Sequence, residues 1–330
     1  PGGRYPLSDL ASSELSDHLT GVANAAINGG NTITVRAVSN STVRATTPMS
    51  NGRDEDVTFR VKCILAFHRV AGADVIIFGM YVHEYGEVGS SVYSGRVFVE
   101  CVDSPPVLPE TPGGDRQAVL SAVLHGYIQW AASRGFRHLH LHVPPPQDGT
   151  KYIFLPRSLS VRLQSTVHLS CWFERVLNTA KQGGLIAGFR SSSWCGDEED
   201  DSSDESNDSR SLGDSGSAVN SRSLTAGGVG SARWQARHGL FNERFFLAEL
   251  SPPSVLLKHD IPLMPSRVVG RRADLSRFIS AEKLQFRTLE HAQYSTLSVI
   301  RSIALELRYI QLQQQSQTPP GTAQEGGMGG

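Results

Sequence analysis

The sequence predicts an α/β fold in which a central mixed β-sheet is flanked by helices. Three observations carry that expectation. Segments with strand-like alternation, such as Thr32–Val38 and Arg137–Val143, are interleaved with segments of helical spacing, such as Arg116–Arg134 and Leu289–Leu312. Phe59–Val70 and Asp74–Val82 flank a short turn at Ala71-Gly72-Ala73 and read as an antiparallel hairpin. Ile76 and Ile77 stand side by side, as in a strand covered on both faces.

In chain order, Ser13–Ile27 reads as a short helix with Leu19, Val22, Ala23 and Ala26 near helical spacing, ended by Gly29-Gly30-Asn31. Thr32–Val38 is a strand, and the turn-rich stretch Asn40–Asp56 is expected to be a loop. The hairpin follows, then a further strand at Arg96–Val102. Arg116–Arg134 is the clearest helix: Asp115 suits its N-cap, Val119, Val123, Tyr127 and Trp130 line one face, and Gly135 can close it. Arg137–Val143 is a strand stopped by Pro144-Pro145-Pro146, and Leu169–Ala180 is a second clear helix. Arg190–Ala232 is rich in Ser, Gly, Asp and Glu, too polar to bury a core, and is expected to be disordered. Glu243–Leu250 resumes as a strand, Phe278–Gln285 is ambiguous, and Leu289–Leu312 is a long amphipathic helix with Ala292, Leu297, Ile300, Ile303 and Leu307 on its apolar side. The tail from Gln313 is expected to be disordered, and no internal repeat is visible.

With 330 residues, 39% of them apolar, the chain can build a substantial core as one large domain or two smaller ones. No apolar run approaches the roughly 18–20 residues of a membrane span, and no signal segment is visible. The first residue is Pro1 rather than Met, which reads as a piece of a longer protein. Cys63, Cys101, Cys171 and Cys195 are widely separated with no CxxC pair, which argues against a disulfide framework or a structural zinc site and for a reducing setting. Overall the net charge is −1, yet Asp197–Arg210 carries eight acids against one arginine, so the remainder is mildly basic. That balance suits a polyanionic cofactor better than a nucleic-acid backbone, which would call for a denser Lys/Arg stripe; no direct nucleic-acid binding is expected.

Phe78-Gly-Met-Tyr-Val-His-Glu-Tyr-Gly86 resembles a signature of the CREB-binding-protein type of histone acetyltransferase. Further segments are similar in order and spacing: Arg96–Ser104, where the family strand ends in a Leu-Asp-Ser step; Arg116-Gln-Ala-Val119, where it has Arg-Thr-Ala-Val; Gly126-Tyr127; Gly135-Phe136; Pro145-Pro146; Gly149; Tyr152-Ile153-Phe154; and Trp172-Phe173 at the family's Trp-Tyr pair. Phe286–Thr296 is similar to a family helix start, so the likeness spans about residues 15–180 and 240–300. The resemblance implies one acetyl-CoA-dependent acetyltransferase-like domain in two parts, 1–189 and 236–312. A disordered acidic insert at 190–235 would interrupt it and a disordered tail at 313–330 would follow. It implies acetyl-CoA as co-substrate with no metal, histone tails or other lysine-containing proteins as partners, and a nuclear, chromatin-regulating role in transcription. Transcription factors would be engaged by regions outside this chain, and no membrane is expected.

Acetyl transfer to lysine requires a docked CoA, a neutral amine and a proton for the departing thiolate. Phosphates favour a helix N-terminus and a guanidinium, and Arg116 stands at such a helix start. By resemblance, Val102, Asp103, Ser104, Arg116, Gln117, His168 and Trp172 contact the cofactor; Gln117 replaces a family threonine and His168 a family arginine. Two departures touch catalysis. Phe173 replaces the tyrosine thought to act as general acid, and a phenyl ring holds no proton to give. His142 replaces a tryptophan lining the lysine tunnel and could itself serve as acid or base. Positioned proton transfer is typically worth ~10²–10⁴-fold, while proximity can supply on the order of 7–11 kcal/mol. The expectation is therefore a reduced-rate histone acetyltransferase working by direct transfer. The alternative is a weak or inactive scaffold that binds acyl-CoA or a histone tail.

Other patterns carry less. His138, His140 and His142 alternate along one strand and share a face, but no neighbouring Cys or carboxylate completes a metal set. Gly213-Asp-Ser-Gly216 echoes a serine-protease phrase inside low complexity with no strand framework. The acidic run reads as a solvated linker; sharper readings make it attractive to basic tails or phosphorylated at Ser202.

Overall fold

The computed structural model describes residues 5–27, 32–48, 54–86, 93–105, 107, 115–144, 152–154, 159–192, 244–257 and 259–317. Among these, the strands are β1 (Ile33–Pro48), β2 (Asp54–Val70), β3 (Ala73–Tyr85), β4 (Arg96–Asp103), β5 (His138–Val143), β6 (Ile186–Ser192) and β7 (Arg244–Leu250). The helices are α1 (Glu14–Ala25), α2 (Asp115–Ser133), α3 (Leu159–Gln182), α4 (Arg272–Ala281) and α5 (Leu289–Gln317). One seven-stranded sheet runs in the order β1-β2-β3-β4-β5-β7-β6. Only β4 and β5 are parallel, joined through α2; every other neighbour pair is antiparallel. The mixed α/β expectation holds.

Both faces of the sheet are covered. Leu15, Leu19 and Ala23 of α1, Val123, Tyr127 and Ile128 of α2 and Phe173 and Leu177 of α3 form one core with Ile77, Val97, Leu139 and Leu141. On the other face, Leu275 of α4 and Ala292, Val299 and Ile303 of α5 pack on Phe67, Ile76, Tyr81 and Phe98. Ile76 and Ile77 thus serve opposite cores, as their adjacency suggested. The β2–β3 hairpin closes with positive φ at Ala71 (50°) and Gly72 (79°), the two-residue geometry that matches strand twist.

Several boundaries differ from the sequence reading. Asn40–Asp56 was expected to be a loop, but β1 continues to Pro48 and β2 begins at Asp54, in register down to Pro48↔Asp54. Its Thr, Val and Ala suit a pleated surface, and Thr46 Oγ1 donates across the strands to Asp56 Oδ1 at 2.7 Å. Asn40, which reads as a turn residue, is buried, and its Nδ2 donates to the carbonyls of Ile261 and Pro262 at 2.9 and 3.1 Å. Helix α3 starts ten residues before the predicted Leu169, through a stretch too polar and β-branched to announce a helix. Asp115 is the first residue of α2 rather than a residue before it. Helix α4 covers part of the ambiguous region, with Leu275 and Ile279 as its buried one-turn pair. Residues 190–192, assigned to the insert, finish β6, and residues 313–317, assigned to the tail, finish α5. The rest of the insert, including Asp197–Arg210, Ser202 and Gly213–Gly216, lies outside the described residues.

Strand β1 is an edge strand, and α1 closes that edge with side chains. Ser16 Oγ accepts from Ala37 N (2.9 Å). Thr20 Oγ1 accepts from Val35 N (2.9 Å) and donates to Val35 O (3.2 Å). Asn24 accepts from Ile33 N (3.0 Å) and donates to Ile33 O (2.8 Å). Four helical residues rise about 6 Å and two strand residues about 6.6 Å, so the periods match. Farther along, Asn40 and Met264 exchange backbone hydrogen bonds at 3.0 and 2.8 Å.

Candidate functional site

Strands β4 and β5 pair from Arg96↔His138 to Val99↔Leu141 and no farther, although β4 continues against β3 to Asp103↔Gly79. The sheet opens at the carboxyl ends of its one parallel pair, where α/β sheets commonly hold ligands. Helix α2 begins there and α3 crosses nearby. Between them is an open cleft of about 200 Å³ lined by Phe78, Val102, Asp103, Ser104, Arg116, Gln117, Leu120, Tyr152, His168, Leu169 and Trp172. That is below the ~300–1,000 Å³ of pockets that enclose a drug-sized ligand, and it suits one arm of an extended molecule.

All seven residues expected at the cofactor line this cleft: Val102, Asp103 and Ser104 from the end of β4, Arg116 and Gln117 from the first turn of α2, His168 and Trp172 from α3. Their positions follow from local chemistry. Between Ala66↔Phe78 and Phe67↔Ile76 the β2–β3 register skips Ile77, a bulge that turns Phe78 to the same core as Ile77. The Ile77 carbonyl accepts from Ser104 Oγ at 2.8 Å, and Ser104 Oγ accepts from Arg116 Nη2 at 2.6 Å. Arg116 Nη2 also donates to Pro105 O at 3.1 Å. The guanidinium is thus moored beside the amino end of α2, where backbone dipoles add positive potential.

Asp103 organises the adjoining wall. Its Oδ2 accepts from Ile153 N (2.9 Å) and Phe154 N (3.0 Å), and its Oδ1 accepts from Ser104 N (2.9 Å). Phe154 then packs over Gly79, where a Cβ would lie only 2.9 Å from the ring. This holds Tyr152 at the cleft, its hydroxyl 3.4 Å from Thr166 Oγ1. Trp172 donates through Nε1 to Ser121 Oγ at 3.1 Å, which fixes the indole.

The two residues expected to act in catalysis do not line the cleft. Phe173 is fully buried behind it, its ring 5.3 Å from Trp172 and 6.1 Å from Phe246. One helical residue after a cleft-facing tryptophan, it turns about 100° away into the core. His142 projects to the opposite face of the sheet, with its ring 5.9 Å from Phe98. Its Nδ1 lies 2.9 Å from Glu100 O; a carbonyl only accepts, so Nδ1 carries the proton. His138 and His140 face the same way, and His140 Nε2 lies 3.1 Å from Arg96 Nη1. Nearby, burial would push the Glu100 carboxyl up, but hydrogen bonds and charge from His83 (3.2 Å) and Arg272 (3.0 Å) hold it at about 2.

Four further residues line the cleft that sequence reasoning did not name as site residues: Phe78, Leu120, Tyr152 and Leu169. Phe78 and Tyr152 open family-like segments. Leu120 is one helical turn after Arg116 and Leu169 one turn before Trp172, a spacing that would have found both.

The family described as Histone acetyltransferase domain KAT3 matches residues 27–206, more than half of the chain. Among curated relatives, Protein cbp-1 from Caenorhabditis elegans is 28% identical over 141 residues, 43% of this chain and 7% of that protein. Histone acetyltransferase HAC12 from Arabidopsis thaliana is 28% identical over 134 residues, 39% of this chain and 8% of that protein. Histone acetyltransferase HAC2 from the same plant is 30% identical over 133 residues, 39% and 10% respectively. The chain spans a tenth or less of the length of these relatives.

Proposed function

This chain belongs to the KAT3 histone acetyltransferase family, and on that premise we propose that it transfers acetyl groups from acetyl-CoA directly to lysine side chains of histones or other nuclear proteins. The observation that carries the reading is the convergence of Val102, Asp103, Ser104, Arg116, Gln117, His168 and Trp172 on one cleft from three separate elements.

The cleft's chemistry fits the co-substrate. Arg116 at the amino end of α2 supplies positive potential for phosphates, His168 of α3 adds an imidazole to the lining, and Phe78, Val102, Leu120, Leu169 and Trp172 form an apolar bed for a flexible arm. Acetyl-CoA brings an activated thioester; the protein's part is to hold it beside the lysine and manage protons. In the transfer the neutral lysine nitrogen bonds to the acetyl carbon, the carbon–sulfur bond breaks, and the nitrogen's surplus proton leaves to solvent or a base while the thiolate gains one. Phe173 contributes packing and no proton. Tyr152 is the phenol on the cleft wall and is the donor we assign to the departing sulfur. His142, with its proton at Nδ1 facing Glu100, acts from the far side of the sheet as a strut where the β4–β5 ladder ends. With Phe173 unable to supply the ~10²–10⁴-fold of a positioned acid, turnover is slow and rests mainly on positioning, with Tyr152 as the remaining donor.

Isothermal titration with CoA, paired with mass spectrometry of histone H3 and H4 peptides incubated with acetyl-CoA, tests the reading. Binding with acetylation is expected. Binding alone leaves the scaffold alternative, which the buried, proton-less Phe173 favours; absence of binding defeats both. Tyr152→Phe should lower kcat about 10-fold or more with CoA affinity retained.

A further inference from the structure

Helices α2 and α3 are joined by two side-chain hydrogen bonds, spaced one turn apart on each helix. Trp172 Nε1 donates to Ser121 Oγ at 3.1 Å, and His125 Nε2 lies 2.8 Å from the Val176 carbonyl. A carbonyl only accepts, so His125 carries its proton at Nε2 and is the donor. Both bonds span an offset of 51 residues, so the two helices advance together and run roughly parallel here. The same offset sets His168 level with Gln117, one turn farther toward the amino ends, and both of these line the cleft. The helices are bridged at two successive levels, and the cleft begins at the next.

Apolar packing alone does not fix that spacing. Leu120, Val123 and Leu124 of α2 share one core with Trp172, Val176 and Leu177 of α3. Such contacts are non-directional and tolerate sliding or rolling of one helix on the other. Hydrogen bonds are directional, and two of them one turn apart fix both register and rotation. The α3 residues that line the cleft, His168, Leu169 and Trp172, all precede Phe173, whose ring anchors the helix against Phe246 of β7. The part of α3 ahead of that anchor takes its distance from α2 through Ser121 and His125.

We propose that Ser121 and His125 are positioning residues that set the width of the cleft. They act through the Trp172 indole and the α3 backbone; neither is among the residues that line the cleft. The proposal rests on the acetyl-CoA reading above. With the α3 wall already held at its working distance, the slender arm of CoA is gripped without the cost of ordering that wall on binding. Two side chains without a place on the cleft surface thereby contribute to cofactor affinity.

Isothermal titration of the full chain with CoA tests this. Ser121→Ala and His125→Ala should each weaken binding about 3–10-fold, the scale of one hydrogen bond's net contribution. His125→Gln, whose side-chain amide can donate from near the position of Nε2, should bind within about 2-fold of the unaltered chain. Ser133→Ala removes a comparable hydroxyl bond, to Trp130 O at 2.7 Å, at the far end of α2 and should leave affinity unchanged. A double-mutant cycle separates positioning from general loosening of the fold. In a Trp172→Phe background, which has no indole N–H, adding Ser121→Ala should weaken binding by less than about 1.5-fold. Thermal melting of each variant sets a temperature at which all are folded. Absence of CoA binding by the unaltered chain would defeat the acetyl-CoA reading and the positioning role with it. Binding that Ser121→Ala and His125→Ala leave unchanged, or a Ser121→Ala loss that persists in full beside Trp172→Phe, would defeat the positioning role alone.

Discussion

Asp103 is expected to be the residue on which the cleft wall depends most. Its carboxylate accepts three backbone N–H groups at 2.9–3.0 Å, two of them, from Ile153 and Phe154, buried. A hydrogen bond to a charged group contributes roughly 1.5–3 kcal/mol, and a buried donor left without its acceptor costs about 1–3 kcal/mol. Asp103→Ala should therefore lose on the order of 3–6 kcal/mol, less than the straight sum because the three bonds share one group. Asp103→Asn keeps one acceptor oxygen but turns an NH₂ toward a donor, and should lose about 2–4 kcal/mol. Urea unfolding followed by circular dichroism gives both values, with unchanged slope if the unfolded state is unaffected. Because the same carboxylate seats Tyr152 through Phe154, CoA affinity should fall at least 10-fold in both variants. A loss under about 1 kcal/mol for Asp103→Ala would mean that water serves those N–H groups equally well, and the argument for a carboxylate-built wall would fail.

Three further outcomes follow from other parts of the molecule. The Glu100 carboxyl, held at about 2 by His83 and Arg272, contributes stability that is complete above its ordinary value of 4.5 and is lost as pH falls through about 2. The contribution is on the order of 3 kcal/mol, and Arg272→Ala should shift acid unfolding to higher pH in a fluorescence titration. Ala71 holds a left-handed conformation at φ 50° in the β2–β3 turn, so Ala71→Asn, better suited to that site, should gain about 0.5–1 kcal/mol and raise Tm. Gly126→Ala would place a Cβ 2.6 Å from Val22 and 3.0 Å from Leu19. Overpacking of about 1–3 kcal/mol should exceed the roughly 1 kcal/mol gained in helix propensity, and calorimetry should show a lower Tm.

Much of the architecture was legible in the sequence because period and burial agree there. The hairpin, the β5 strand, α2 and the core of α5 all carry apolar residues at their element's own repeat. The extension of β1 through Asn40–Pro48 was not, because its polar residues are spent on specific partners: Asn40 on Ile261, Pro262 and Met264, and Thr46 on Asp56. Strand β6 was hidden for a different reason. Ile186–Ser192 is short, contains Gly188 and ends in serines, so nothing local separates it from the low-complexity stretch that follows. The convergence of β4, α2 and α3 residues on one cleft was legible through the family-like segments. The placement of Phe173 and His142 was not, because both are near the cleft in sequence register while strand and helix geometry turn their side chains elsewhere.

Helix α1 has a consequence for anyone cutting this chain into fragments. By satisfying Ile33, Val35 and Ala37 from Ser16, Thr20 and Asn24, it acts as a surrogate neighbour written in hydroxyls and an amide. A fragment begun after Ala25 would keep the whole sheet yet bare a row of unmet donors and acceptors along its margin, ready to template another chain into fibrils. Recombinant boundaries belong ahead of Ser13, whose hydroxyl caps that helix at Ser16 N.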